Sequence, residues 1–396
     1  MSITDKYRAN RKDAAIICFS GTDWWYHNRG LFCPQIMTRL AKDYKVLYIN
    51  SLGTRVPNLK KDPLAVTKIF RKIRSIARFI RRDISGMYVM SPVSLPLLGS
   101  ALGRTLNTYS VLLQTKLIML LLGIKDPIFY IGCPPARDVA ERIKHRYLIY
   151  ERTDLFEEMP GANKPYIASL DNELTESADL VLYANEMLFK QGINKNKNSL
   201  LIGHGVDFEV FAAAEQSNYV PADIAAIPRP IIGYFGDICD KTFDFQLMCH
   251  LAMKLPQMSF VLIGPLSSDV NCLKQFRNVH ILGQKRYEDI PHYGKVFDVS
   301  ILPWKKNTWV MHSYPVKIKE YLAMGKPFVS VDIPAARTFE SVVCIADDYD
   351  DFVLKLRQAV EDKDPQAKQR RRESVQNETW GSKVEQIKAI IEKDLI

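Results

Sequence analysis

Several things are scarce in this 396-residue chain, and each scarcity excludes a class. The seven cysteines are odd in number, scattered, and form no C-x-x-C pair, so neither a disulfide framework nor a zinc site is expected. A reduced cytosolic setting is the natural one. The first nineteen residues hold charges but no uninterrupted apolar core with a cleavage site, so no signal peptide is expected. The most apolar later run, Val111 to Gly123, is broken by Gln114 and Lys116 and reads as too short to span a bilayer. Acids are the minority charge, 44 against 54 Lys and Arg, giving +10 and a pI near 9.1. That balance favours an anionic partner: a phosphorylated substrate, an acidic lipid or a nucleic acid. No zinc-finger spacing and no RNP-type aromatic motif supports the last, so no nucleic-acid partner is expected.

What is present reads as α/β. Ala14 to Ser20 suits a buried strand, Gly21 permits a tight exit into TDWWYHNRG, and Phe32, Ile36 and Leu40 recur at helical spacing before a strand at Lys45 to Asn50. Loops after strand C-termini line the ligand crevice of doubly wound sheets, which makes Asp23 and His27 candidate contacts, with Trp24, Trp25 and Arg29 beside them. Packing of the aromatics beneath a long loop explains the same residues equally well. Further strands are expected at Tyr88 to Met90, Pro127 to Gly132, Tyr147 to Glu151, Asp179 to Tyr183 and Leu200 to Gly203. Asp154 falls just past one of them, in LIYERTDLF, where a carboxylate serves either as general base toward an acceptor hydroxyl or as a cap for the next turn.

Between Asn58 and Arg82 nine Lys or Arg face the single acid Asp62. On a helical wheel Ile69, Ile73, Ile76 and Ile80 form one stripe, and Lys68, Arg71, Arg74, Arg78 and Arg82 the other side. A cationic amphipathic helix of this kind suits an anionic membrane surface, and also an ordinary core-facing helix with a solvated basic face.

The polar run after Phe211 fits an interdomain linker, and from Pro230 strands and helices alternate again. His312 to Val331, HSYPVKIKEYLAMGKPFVSV, reads as a helix with Pro315 in its first turn and Gly325 at its cap, then a strand. Lys317 and Glu320 share one face of it, with Ile318 and Leu322 toward a core. A cation at a helix N-terminus opposes the helix dipole unless an anion is bound, and a carboxylate there suits the vicinal hydroxyls of ribose; solvated side chains fit the local sequence as well. The acids of ADDYDDF, Ala346 to Phe352, read as helix caps in preference to a metal site. Val384, Ile387 and Ile391 mark a terminal helix.

PVKIKEYLAMGKPFVSV resembles the donor-site motif of GT-B-fold glycosyltransferases, the family of many bacterial exopolysaccharide and teichuronic-acid-type group 1 enzymes. IIGYFGDICDKTFDFQLM and VHILGQKRYEDIPHYGKVFDVSILPW resemble its neighbouring segments in the same order, and LIGHGVDFEVF resembles the family's NGVD..F passage into the second domain, with His204 where Asn is usual. The resemblance implies two Rossmann-like domains facing a cleft. It implies residues 1–205 on the acceptor side, 206–375 on the donor side, and a helix in 376–396 crossing back to the first domain. It implies donor contacts from Gly236, Ser313, Tyr314, Lys317 and Glu320, with Lys317 at the diphosphate and Glu320 at the ribose, and Asp154 as candidate base. The partners implied are a nucleotide-diphosphate sugar and a glycan or polyprenyl-diphosphate-linked acceptor. No metal or other cofactor is implied, and the place is the cytoplasm or the inner face of the cell membrane. One departure stands out. His312 occupies the position eight residues before Glu320 where many members carry another glutamate, so donor sugar and stereochemical outcome do not carry over. A nucleotide-sugar epimerase or phosphorylase on the same fold is the competing class.

Overall fold

The computed structural model describes residues 14–26, 30–52, 65–94, 100–159 and 162–395. His27 and Arg29 lie outside them. The chain divides into two compact units that meet in sequence at Gly203 and His204, two residues before the boundary read from the motif.

The first unit is built on eight strands: β1 (Ala15–Phe19), β2 (Lys45–Ile49), β3 (Ile80–Arg82), β4 (Tyr88–Met90), β5 (Ile128–Ile131), β6 (Tyr147–Arg152), β7 (Leu180–Tyr183) and β8 (Ser199–Leu201). Their order is β3-β4-β2-β1-β5-β6-β7-β8, parallel except for the β3–β4 pair. β1, β5 and β7 are buried along their whole length, as parallel strands covered on both faces must be, and their near-continuous apolar sequence follows from that. Three helices matter below: α1 (Phe32–Leu40), α2 (Ala65–Ala77) and α3 (Ala101–Leu122). The crossover reverses beside β1, so the ends of β1 and β5 flank this sheet's switch point.

Two expectations fail here. The basic helix ends at Ala77, Phe79 takes a positive φ of 45°, and Ile80 and Arg82 belong to β3, so the stripe of four isoleucines is not continuous. What the described part of α2 turns toward the protein is mixed: Ser75 is fully buried, Lys72 donates to the Ser51 carbonyl at 2.8 Å and Ile76 is half-buried, while Ile69 and Ile73 are exposed. The apolar run read as Val111 to Gly123 extends back to Ala101, because Ser100 caps the helix by accepting from the Gly103 amide and Gly123 ends it in the left-handed region. With 22 residues, α3 has the length and composition of a membrane span.

The second unit carries β9 (Ile231–Phe235), β10 (Ser259–Ile263), β11 (Val279–Gly283), β12 (Val299–Leu302), β13 (Phe328–Val331) and β14 (Cys344–Ala346), all parallel, in the order β11-β10-β9-β12-β13-β14. Its helices include α4 (Phe245–Lys254), α5 (Lys317–Ala323), α6 (Tyr349–Glu361) and α7 (Trp380–Leu395). Asp348 caps α6 by accepting from the Asp351 amide, which is how the acidic cluster is used. The reversal between β9 and β12 puts this sheet's switch point at the loops after those two strands.

Candidate functional site

β9 ends at Phe235 and the chain turns through Gly236 at φ +147°. Beside it, after β10, Gly264 sits at φ +150°, and a Cβ there would lie 1.8 Å from the Gly236 carbonyl oxygen. Two backbones therefore cross with no room for a side chain, which is the reason for glycine at both positions. A Cβ on Gly236 would stand 2.2 Å from Lys317 Nζ, so the loop opens directly onto that ammonium.

Lys317 opens α5, two residues later than the Pro315 start read from the sequence. Its Nζ donates to the Tyr234 hydroxyl at 3.2 Å and lies 4.7 Å from the ring centroids of both Tyr234 and Trp304. Trp304 Nε1 donates to the same hydroxyl at 3.2 Å, which fixes the two rings around the lysine. Burial among these rings pushes the Lys317 pKa down to about 8, against the opposing pull of Glu320 and Asp237. One turn on, Glu320 is 5% exposed and accepts from the Tyr287 hydroxyl at 3.0 Å. Burial raises its pKa to about 7, opposed by that hydrogen bond and by Lys317. A partly desolvated ammonium and carboxylate, one helical turn apart at a glycine-lined switch point, match the charge pattern of a phosphate-bearing nucleoside.

The other residues read from the motif turn elsewhere. Ser313 is buried and its hydroxyl donates to the Val310 carbonyl at 3.0 Å. The Tyr314 ring sits 5.1 Å from Lys319 Nζ and 5.9 Å from the His204 ring. His312 follows the short helix Thr308–Met311 with Nδ1 2.7 Å from the Thr308 carbonyl oxygen. Lys319, unremarked in the sequence, is 2% exposed and donates to the His204 carbonyl at 2.5 Å and to Glu378 at 2.8 Å. Desolvation brings its pKa to about 8 and that of His204, beside it, to about 3.

In the first unit Asp154 lies two residues beyond β6, as read, and is partly exposed. Its negative charge helps raise the pKa of Glu151 to about 7, after burial as the main cause. Glu151 is 3% exposed and accepts from the Cys33 thiol at 3.1 Å. Asp23 is spoken for: Ser75 Oγ donates to one oxygen at 2.6 Å and the Trp25 amide to the other at 2.9 Å. Asn50 ties the same loop down, accepting from the Trp24 amide at 2.8 Å and donating to Ser91 at 2.8 Å.

Residues 229–362, which hold Gly236, Lys317 and Glu320, match the family model described as glycosyl transferases group 1. The second unit carries a group 1 glycosyltransferase domain. A protein named for a glycosyltransferase role in teichuronic acid biosynthesis, TuaH of Bacillus subtilis (strain 168), is 27% identical over 179 residues, 43% of this chain and 44% of that protein. Over nearly the whole chain the likeness is structural. Sucrose-phosphate synthase from Thermosynechococcus elongatus superposes with a TM-score of 0.72 at 14% identity, covering 96% of this chain and 99% of that one. Anabaena HepE, solved with UDP and glucose, gives 0.67 at 15% identity, covering 96% and 100%. The fold of the chain is GT-B, with two parallel-sheet domains.

Proposed function

We propose that this chain transfers a sugar from a nucleotide-diphosphate donor to a glycan or polyprenyl-linked acceptor in the building of a cell-surface polysaccharide. The observation that carries the reading is the Lys317–Glu320 pair beside Gly236 at the switch point of a group 1 glycosyltransferase domain. The ammonium of Lys317 offsets the negative charge that gathers on the departing nucleoside diphosphate, which is the electrostatic work such a reaction needs. No metal is required for that step in this reading. Glu320 accepts from the ribose hydroxyls, and Asp154 takes the proton of the acceptor hydroxyl as it attacks the anomeric carbon. The binding of UDP and UDP-glucose by HepE supports trying uridine donors first. The name of TuaH supports a cell-surface acceptor. Transfer, in preference to epimerisation or phosphorolysis, is favoured by the names of the matched relatives. A basic exposed surface on α2, with Arg71 and Arg74, suits an acceptor held at an anionic membrane.

The test is a screen of nucleotide-diphosphate sugars against polyprenyl-diphosphate-linked sugars, read by product mass. A new glycosidic product with the parent and none with Lys317→Ala is the expected result. Isomerised donor formed without any acceptor would replace transfer by epimerisation.

A further inference from the structure

Helix α3 is apolar on both sides, unlike an ordinary surface helix. The side packed on its own unit buries Val111, Leu112, Ile118 and Met119 together with Gly103, Asn107 and Thr115. The side facing out carries Leu102, Leu106, Tyr109, Leu113, Leu117 and Leu120, each 47 to 78% exposed. Their spacings of three and four residues keep them in one line along a helix about 33 Å long. An apolar strip of that length, left open to water, marks an interaction surface.

Charge and attachment narrow the occupant to one. From Val93 to Lys125 the chain holds Arg104, Lys116 and Lys125 and not a single acid. Lys116 stands on the outer face within the leucine line, and Lys125 is exposed just past the helix end. A second copy of this chain would set the same cations against each other with no carboxylate on the helix to meet them. Anionic lipid headgroups offer the complementary charge, and acyl chains the complementary apolar medium. The helix is also fastened to its unit: buried residues run along it from Gly103 to Met119, and midway the Val93 amide donates to Gln114 Oε1 at 2.9 Å while Gln114 Nε2 donates to the Val93 carbonyl at 3.0 Å. A helix held that way along one flank lies in the plane of a membrane and does not cross it.

We propose that the outer face of α3 is an interfacial anchor that inserts its leucine line into an anionic bilayer, with Lys116 and Lys125 at headgroup level. The inference concerns lipid binding alone and holds whether or not the chain transfers sugar. It also differs from the basic surface of α2, whose attraction is electrostatic and fades with salt. Insertion of α3 is largely apolar and outlasts moderate salt once formed.

Flotation with vesicles of equal parts phosphatidylglycerol and phosphatidylcholine tests it. The parent should float at low salt and keep much of its binding at raised salt. Leu106→Ser, Leu113→Ser, Leu117→Ser and Leu120→Ser combined should cut the partition coefficient by about tenfold or more, since each apolar carbon withdrawn from the bilayer lowers affinity. Arg71→Glu with Arg74→Glu should weaken low-salt binding less. Because four changes on one helix test folding too, Tyr109→Trp supplies a second measurement: brominated lipid should quench its emission beyond the quenching of the parent's own tryptophans. The proposal is overturned if the parent fails to float, if the four-serine variant floats like the parent while circular dichroism shows it folded, or if the Tyr109→Trp variant shows no quenching beyond the parent's. It is equally overturned if the parent forms dimers that the serine changes dissolve and neither binds vesicles.

Discussion

The two sheets finish their central strands in opposite ways. After β1 the polar groups of Asp23, Asn50, Ser75 and Ser91 are spent on one another and on loop amides. After β9 two glycines let two backbones cross, and among the described residues Lys317 meets a tyrosine hydroxyl and two aromatic faces, with Glu320 holding one phenol. A carboxylate whose oxygens already accept from the protein stabilises a loop. An ammonium desolvated by aromatic rings, with no carboxylate hydrogen-bonded to it, is a group still able to gain from an anion. The contrast separates a polar end that holds a fold together from one prepared to meet a ligand.

The strongest way to break that contrast is Asp154→Asn, since Asp154 is the first-unit carboxylate proposed to act on substrate. Transfer should fall by about 10²–10⁴ while nucleoside diphosphate binding, read by calorimetry, is unchanged. Parental transfer by the variant would move the base elsewhere. In the second unit, Lys317→Ala and Glu320→Ala should each weaken nucleoside diphosphate binding by about 1.5–3 kcal/mol and leave the melting profile in place. Unaltered affinity in both would remove the donor assignment. Gly236→Ala sharpens the same point: its methyl would claim the place of the Lys317 ammonium and strain a backbone at φ +147°. Its loss of affinity should therefore overlap with that of Lys317→Ala, and full additivity in the double variant would argue against a shared cause.

A smaller effect comes from pH. Lys317 must keep its proton to meet a diphosphate, so affinity should fall as pH rises through about 8. Glu320 must be ionised to accept from ribose, so affinity should also fall as pH drops through about 7. Nucleotide affinity should peak between these values, and removal of Glu320 as Glu320→Gln should flatten the acid side alone. Least of all, Asp23→Asn should cost stability of about 0.5–1.5 kcal/mol in chemical denaturation, with nucleotide affinity untouched.

Most of both sheets was legible because buried parallel strands must be continuously apolar. β4 falls on the residues expected, and β13 closes the segment His312 to Val331 as the strand read there. β3 was not legible, since IRR continues the helical pattern of α2, and only the backbone of Phe79 breaks it. Lys317 and Glu320 were readable as a local pair on one turn. The rings that set the character of Lys317 come from the ends of β9 and beyond β12, 83 and 13 residues away by chain numbering, which no local pattern contains. Glu151 was hidden for a related reason: it lies near the end of an apolar strand, and the groups that act on its carboxylate, Cys33 and Tyr130, belong to distant stretches of the chain.

Lys319 has a consequence of another kind. It joins the His204 carbonyl to Glu378, and there Val206 also bridges Thr379, with its amide donating to the Glu378 carbonyl at 2.9 Å. The chain thus enters the sheet-bearing part of the second unit and leaves it at the same spot. A segment whose two ends touch can be lifted out of one polypeptide and set into another, or closed on itself through a short loop and reopened elsewhere, without stretching its core. Residues 204–379 have the topology of a cassette, and a circular permutant joined across that seam should keep its sheet.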